Sequence, residues 1–596
     1  MRTTRFAPAR WDLGDALPVA GEGGLSKALE ALEAKTKSFE ALRGRLDFFN
    51  AGDVVDALAA YGEVVEDISR ISAHSYMEYT ADTADQKAKA WLDKAEDLEA
   101  ETKNRTLFFR LWWTGLDDKR AKGLMPGNRD DTYVLVSWRK LKPYTLGEKV
   151  EQAINVKNTT GFSSWVHHYD KITSDFVFTV KVKGKALRDE KGRPRKMVVE
   201  EVTRLFMSPD APTREAAYRT LLAKYAENGG VLGEVYRTVV RDWRNENVKL
   251  RRYKSPIASR NLENDVPDEA VSTLLEVCRK NAPVFEDFFI TKAKLLGMKK
   301  MSRYHIYAPL ARKQKLVAYR QAVRTVLDAY EAFDRKVAAL AFKVFETGHV
   351  DSSPRRGKRS GAYCMNVAPD VVPYLFLNFS GTTNDVYTVA HESGHAVHGQ
   401  LASSHSMLTF EAPLVLAETA SVFGEMILFD RMMRDETEAE VKRSVLLDKI
   451  SSMYGTIGRQ AHIVLFESAA HEAVDSGATV DGLCSAYLAN LKGQFGMAVE
   501  VPEEFKWEWT YIPHIYHTPF YCYAYAFGNL LSLALYDRYT KEGRSFVPKY
   551  LKILSYGGSA SPAEILQEVG FDLRSEDFWQ SGFDVIGRLV AQLRRL

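Results

Sequence analysis

His391 and His395 stand four residues apart in the segment Val389-Ala390-His391-Glu392-Ser393-Gly394-His395-Ala396-Val397-His398, and this spacing constrains the chain more than any other feature. On a helix, side chains four apart project from one face, one turn above the other. The two imidazoles can therefore close on a single ion only if this stretch is helical. Neutral imidazoles bind zinc at about 2.0–2.1 Å. Glu392, one residue on, cannot easily reach the same ion, but it can reach a water held there, whose pKa falls toward ~7. An adjacent carboxylate can take that proton as the water attacks a carbonyl. The pattern points to metal-assisted hydrolysis.

A catalytic zinc needs a third protein ligand and keeps its fourth position for water. The scheme HExxHxxGxxH fails here, because position 398 is His and position 401 is Leu. A glutamate on a following helix is the alternative. Glu418, amid the apolar and small residues of Leu414 to Glu425, is costly to bury unless paired or bound to metal. It is the expected third ligand. Glu425, seven residues later, shares its helical face and can accept the outer N–H of a ligating histidine. Asp385 is a second supporting carboxylate by the same reasoning. Glu411 precedes Pro413 and reads as lying outside the helix.

Around this motif the periodicity is mostly helical. Leu25, Ala28, Leu29 and Leu32 recur at helical spacing, as does the stretch Val54 to Ile71, and helix is expected to about Trp113. The pattern changes at Phe176, Phe178, Val180 and Val182, which alternate. Turn residues from Gly184 to Arg195 and a second extended run from Met197 to Val202 complete the signature of a long-looped β-hairpin. Ser208 to Thr213 then breaks the chain, with Thr213 a fair N-cap for a helix from Arg214. This places a domain boundary near 195–212, giving an N-terminal helical domain with a hairpin (1–200) and a catalytic domain (201–596). Short strands are expected at Tyr304–Leu310, Gly361–Val367 and Val372–Phe379, and mostly helix from Asn384 onward. The class is α-rich α+β.

Composition narrows the function. The 596 residues carry 81 Lys+Arg against 78 Asp+Glu, a net charge of +3, too even a balance for a polyanion-binding protein. No nucleic-acid partner is expected. No apolar run approaches the ~18–20 residues that span a bilayer. Cys278, Cys364, Cys484 and Cys522 form no CxxC pair, which fits reduced thiols in the cytoplasm. Met1 to Arg10 carries three arginines, but Trp11, Asp12, Leu13 and Asp15 follow without an apolar region or a cleavage site, so no targeting segment is read. The basic runs Lys191–Lys196 and Arg355–Arg359 read as solvated loops.

Beyond the motif, the chain resembles the thimet oligopeptidase and oligoendopeptidase F family of zinc peptidases. Matching segments include Trp11-Asp12-Leu13, Ile306 to Leu310, Gly361-Ala362-Tyr363 and Asn378 to His398. The helix around Glu418, Ile512 to Tyr516, Pro519 to Tyr525 and Tyr556 to Pro562 also match, so the likeness runs over nearly the whole chain. It implies a zincin-like catalytic domain whose active-site helix lies in a substrate channel, enclosed by the N-terminal helices. It also implies His391, His395 and Glu418 as ligands of one catalytic zinc, Glu392 as general base, and short oligopeptides as substrates.

The resemblance further implies a histidine and a tyrosine from the aromatic stretch 511–525 as donors to the oxyanion. His514, Tyr521 and Tyr525 are chosen, the tyrosines sharing a helical face, with Tyr523 the main rival. Gly361, Ala362 and Tyr363 are expected to bind substrate through the strand that contains them. The chain thus reads as a zinc-dependent endopeptidase. Two other classes stay open: a zinc-bound module that captures peptides without cutting, against which the intact Glu392 argues, and a helical scaffold with a fortuitous motif. Oligomeric state is left open.

Overall fold

The computed structural model describes residues 6–17, 22–310 and 316–596, so the arginines at positions 2 and 5 lie outside the described residues. Helices dominate, and the strands among the described residues are two or three residues long. The chain divides into two compact units, each assembled from three separated stretches. Met1–Lys142, Gln314–Asp435 and Leu535–Asp572 form unit 1; Pro143–Lys313, Glu436–Ala534 and Leu573–Leu596 form unit 2. Residues 195–212 fall inside unit 2. Among the described residues no helix is long and apolar enough to cross a membrane.

Unit 1 opens with α1 (Glu22–Glu40), α2 (Ala51–Ala81) and α3 (Gln86–Gly115). Asn50 starts α2 by accepting from the Gly52 and Asp53 N–H groups, while Asp53 accepts from the Asn50 N–H; such caps typically contribute about 1 kcal/mol. The apolar stripes predicted by the spacing pack together: Leu32 with Val64, Ile68, Ile71 and Ala95, and Phe39 with Phe109, Trp113 and Leu135. Next come α4 (Tyr319–Phe333), α5 (Arg335–Glu346) and a three-stranded sheet of β1 (Val350–Asp351), β2 (Tyr363–Met365) and β3 (Tyr374–Phe376). The strand order is β1-β3-β2, with β1 parallel and β2 antiparallel to β3. One sheet face meets α2, through Ala73, Met77 and Tyr374, with Tyr363 and Met365 packed against them. Trp11 lies over Tyr363, Tyr374 and Phe376, which accounts for the early Trp-Asp-Leu. The other face meets α6 (Thr383–Leu401), which packs along α7 (Thr419–Asp435) and α8 (Val547–Ser555).

The run Arg355–Arg359 is not a solvated loop. The Lys358 side chain is buried, 2.7 Å from the buried Asp351 carboxylate and over the Phe376 ring, and Arg355 shares the same carboxylate. A buried aspartate needs such cations, and here they fasten the loop to β1.

Unit 2 corrects three local expectations. The hairpin closes early, at Lys183-Gly184, where both residues have positive φ and Lys181–Val182 pairs with Lys185–Ala186. That is the two-residue turn whose twist suits a hairpin. Met197 meets Phe178 in a single bridge, and Val199–Arg204 is helix. The following helix starts at Ala211, capped by Asp210, with Pro212 in its first turn. Finally, Tyr304–Leu310 is not a strand. Arg303 pairs with Glu508, Tyr304 bonds Glu504, and the Ile306 carbonyl accepts from Lys292 at 2.7 Å. A period-two strand cannot satisfy that set of directions. The strand here is Met301–Ser302, parallel to Val499–Glu500.

Candidate metal centre and active site

α6 begins with a capping box in which Thr382 accepts from the Asp385 N–H and Asp385 accepts from the Thr382 N–H. This fixes the helix that carries His391, Glu392 and His395. Asp385 also accepts from Ser380 N–H and Oγ–H at 2.9 and 2.8 Å. Its carboxylate is thus occupied at the helix start, about 9 Å along the axis from His391. It does not support the histidines, and the expectation placed on it is corrected.

α7 brings the two glutamates. Glu418 sits at the junction between the turn Leu414–Ala417 and α7. Its Oε2 lies 3.3 Å from His391 Nε2 and 3.6 Å from His395 Nε2, and the two imidazole nitrogens are 3.2 Å apart. The opposite nitrogen of His391, Nδ1, lies 2.6 Å from Glu425 Oε1. Glu425 thus stands on the side of the His391 ring turned away from Glu418 and His395.

α6 and α7 approach closely because of Gly394. A Cβ there would stand 2.6 Å from the Ala420 carbonyl oxygen and 2.7 Å from the Ser421 Cα. Tyr330 of α4 adds a buried O–H donated to the Ala390 carbonyl at 2.6 Å. At the far side, Gly557 has φ +50° and lies against the Phe410 carbonyl, while the Gly558 N–H donates to Thr409 at 2.8 Å. The matching segment Tyr556 to Pro562 thereby holds the loop at Phe410 and Glu411.

These elements enclose a cavity of about 380 Å³. His391, Glu392, His395 and Glu418 line it, with Ala362, Tyr363, Asn366 and Glu411 opposite or beside them. Gly361 sits at the turn before β2 with φ +90°, its carbonyl accepting from Asn378.

Burial sets the electrostatics. It raises the Glu392 pKa to about 7, against the pull of His391 and with help from Glu418 and Glu425. Burial pulls His391 down, but the Glu425 hydrogen bond and the surrounding carboxylates outweigh it and lift the pKa to about 9. His395 falls to about 4, chiefly by burial. His398, buried a turn further on, also falls to about 4, and the Ala417 carbonyl faces both of these rings. His398 reads as part of the packing.

The donor set fits a metal. Tetrahedral zinc with bonds of about 2.0–2.1 Å holds its ligand atoms about 3.4 Å apart, and the three separations here are 3.2, 3.3 and 3.6 Å. Two histidines and one glutamate also form a recurrent catalytic zinc set.

In unit 2, His514, Tyr521 and Tyr525 form a ring cluster with centroids 5.3 to 6.2 Å apart. Burial lowers the His514 pKa. Tyr523, the rival, is buried with its hydroxyl 2.7 Å from Asn264 Nδ2. Its hydroxyl is already engaged in the packing.

Comparison with known proteins decides the family, since the model of peptidase family M3 matches residues 204–585. The chain belongs to peptidase family M3. It is a metalloendopeptidase, and the matched span contains His391, Glu392, His395, Glu418 and Glu425. The M3 chain is 24% identical over 600 residues to an oligoendopeptidase F homologue of Borreliella burgdorferi, covering 98% of each. It is 28% identical over 398 residues to the plasmid-encoded oligoendopeptidase F of Lactococcus lactis subsp. cremoris, covering 66% of this chain and 65% of that one. The fold is shared with oligoendopeptidase-F of Enterococcus faecium (TM-score 0.72, 21% identity, 96% and 98% covered). It is also shared with PZ peptidase A (TM-score 0.73, 17% identity, 94% and 97% covered).

Several contributors to this M3 site carry no signal in sequence spacing: the Tyr330 hydroxyl, the Ala417 carbonyl and the Cys364 N–H, which is directed at the Glu392 carboxylate. Gly394 sits within the motif, but only the packing of α6 on α7 shows what it does.

Proposed function

We propose that this peptidase is a zinc-dependent oligoendopeptidase that cuts internal bonds of short peptides. The observation that carries the reading is the convergence of His391 Nε2, His395 Nε2 and Glu418 Oε2 within 3.2–3.6 Å, beside a buried Glu392. Those three residues would hold the zinc, which when bound supplies Lewis acidity, acidifying a water and polarising a carbonyl.

The chain's own groups perform the rest. Glu392, buried beside the three converging donors, accepts a proton from the attacking water and returns it to the leaving amine. Glu425 holds the His391 ring through Nδ1 and so sets which nitrogen faces the cavity. His514, Tyr521 and Tyr525 are assigned to donate hydrogen bonds to the oxyanion as it forms. Ala362 and Tyr363 line the cavity, where the strand offers main-chain groups to an extended substrate. The relatives' names as oligoendopeptidases support the restriction to short peptides. All four cysteines are free, which supports a cytoplasmic location.

The test is mass spectrometry of mixed peptides of about five to forty residues, incubated with the protein and with a chelator control. Internal cleavage of the short peptides alone, abolished by the chelator and restored by zinc, is expected. A zinc-loaded sample that cuts nothing would overturn the reading, and cleavage indifferent to chelator would remove the metal from it.

A further inference from the structure

The sheet of unit 1 leaves one edge open. On its β1 side, β3 gives the Leu375 N–H to the His349 carbonyl and the flanking Leu377 N–H to Asp351, both at 2.8 Å. Tyr374 and Phe376 are therefore the residues that bond across to Met365 and Tyr363 of β2. The main-chain groups of Cys364 must point the other way, to the free edge, in keeping with its N–H being directed at Glu392. Among the described residues no further strand pairs with β2.

Side chains alternate across that edge. Cys364 faces α6 and the loop at Glu411, and lines the cavity with Glu392 and Glu411. Tyr363 and Met365 face α2. On this second face a cavity of about 630 Å³ opens between α2 and α3. Val64, Val65, Ile68 and Leu92 supply its apolar wall, Ser72 with the Glu96, Glu99 and Lys103 side chains of α3 its polar side, and β2 closes it. The metal-centre cavity shares Tyr363 and Cys364 as wall. One open strand edge thus separates the Glu392 carboxylate on one face from a large hollow with an apolar wall on the other.

We propose that the α2–α3 cavity is a specificity pocket, taking one large apolar side chain of a peptide laid along the free edge of β2. This rests on the peptidase reading above. A peptide hydrogen-bonded to a sheet edge continues the alternation of the strand it joins. Side chains next to each other in the peptide then go to opposite faces, so only every second one can enter the hollow. Its size falls within the roughly 300–1,000 Å³ of ligand pockets and accommodates an aromatic or long aliphatic group.

The test compares peptides that differ at one position, Ala against Leu and Phe, scanned along the sequence. The expected result is a preference for Leu or Phe at one fixed distance from the cut bond, with the two adjacent positions indifferent to this exchange. Val65→Trp and, independently, Ser72→Trp fill the hollow from α2. Each should lower the ratio of kcat/KM for the Leu or Phe peptide over the Ala peptide by about tenfold or more. Because the readout is a ratio between two substrates of one variant, a partly unfolded sample does not imitate it. A preference that both variants leave unmoved overturns this inference alone. A wild-type enzyme that cuts no peptide overturns the peptidase reading, and this inference with it.

Discussion

The Glu425 carboxylate lies 2.6 Å from His391 Nδ1, on the far side of the ring from the nitrogen that faces His395 and Glu418. With a metal bound, it would keep the ring proton on Nδ1 and leave Nε2 to donate its lone pair. Glu425→Ala should weaken zinc binding by about ten- to a hundredfold, measured by competition with a chromophoric chelator, with Glu425→Gln intermediate. Unchanged affinity in both variants would show that ring packing alone sets the tautomer.

Glu392→Gln should keep one metal per chain and lose turnover by about two to four orders of magnitude, the usual contribution of a general base. Metal analysis and steady-state kinetics on the same sample check this. Loss of metal instead would place Glu392 among the ligands.

Glu418→Ala removes one of three converging donors, and metal content after dialysis should fall well below one per chain. Full occupancy and activity in that variant would move the third ligand elsewhere.

Gly394→Ala puts a Cβ 2.6–2.8 Å from the backbone of Ala420 and Ser421, which cannot swing aside as a side chain can. The helices must part, at a cost of about 1–3 kcal/mol, read as a lower Tm, and zinc affinity should fall because Glu418 and Glu425 ride on α7. An unchanged Tm would mean the helix pair is softer than its packing implies.

Burial raises the Glu467 pKa from 4.5 to about 8, opposed by the Phe520 N–H, which donates to it at 2.8 Å, and by Arg260. Because the folded value is the higher one, its contribution to stability is fully present below about pH 4.5 and lost as pH rises through about 8. Urea unfolding across pH 5 to 9 should show the wild type losing its advantage over Glu467→Gln as pH rises. A constant difference would mean that Glu467 is ionised in the folded chain. Phe520 has φ +60°, so this neutral acid also supports the turn leading into Tyr521.

The convergence of His391, His395 and Glu418 is legible in spacing: histidines four residues apart, a glutamate in an apolar segment, and Glu425 two turns further on. Asp385 shows the limit of that argument. Its side chain could have turned toward the histidines or back to the helix start, and the Ser380 and Thr382 donors decided it, a local competition that the Thr382-to-Asp385 spacing already contained. Tyr304–Leu310 misled for another reason: its apolar, aromatic composition suits a strand, whereas its backbone is dictated by partners about 200 residues away in sequence, Glu504 and Glu508. Lys358 was invisible as a buried cation because its partner Asp351 gives no periodic signal.

The three-stretch construction of unit 1 has a consequence for how the chain is made. The helix carrying His391 and His395 is synthesised roughly 150 residues before Val547–Ser555, which packs against it, and before Tyr550, whose ring stacks on Phe423. Closing contacts over such separations slows folding, since loop entropy must be overcome before the contacts form. On the ribosome the motif helix therefore emerges with a bare apolar flank that no earlier segment fills. A truncated product ending short of that closing stretch carries His391, Glu392, His395, Glu418 and Glu425, yet lacks the packing of Val547–Ser555 on their helices.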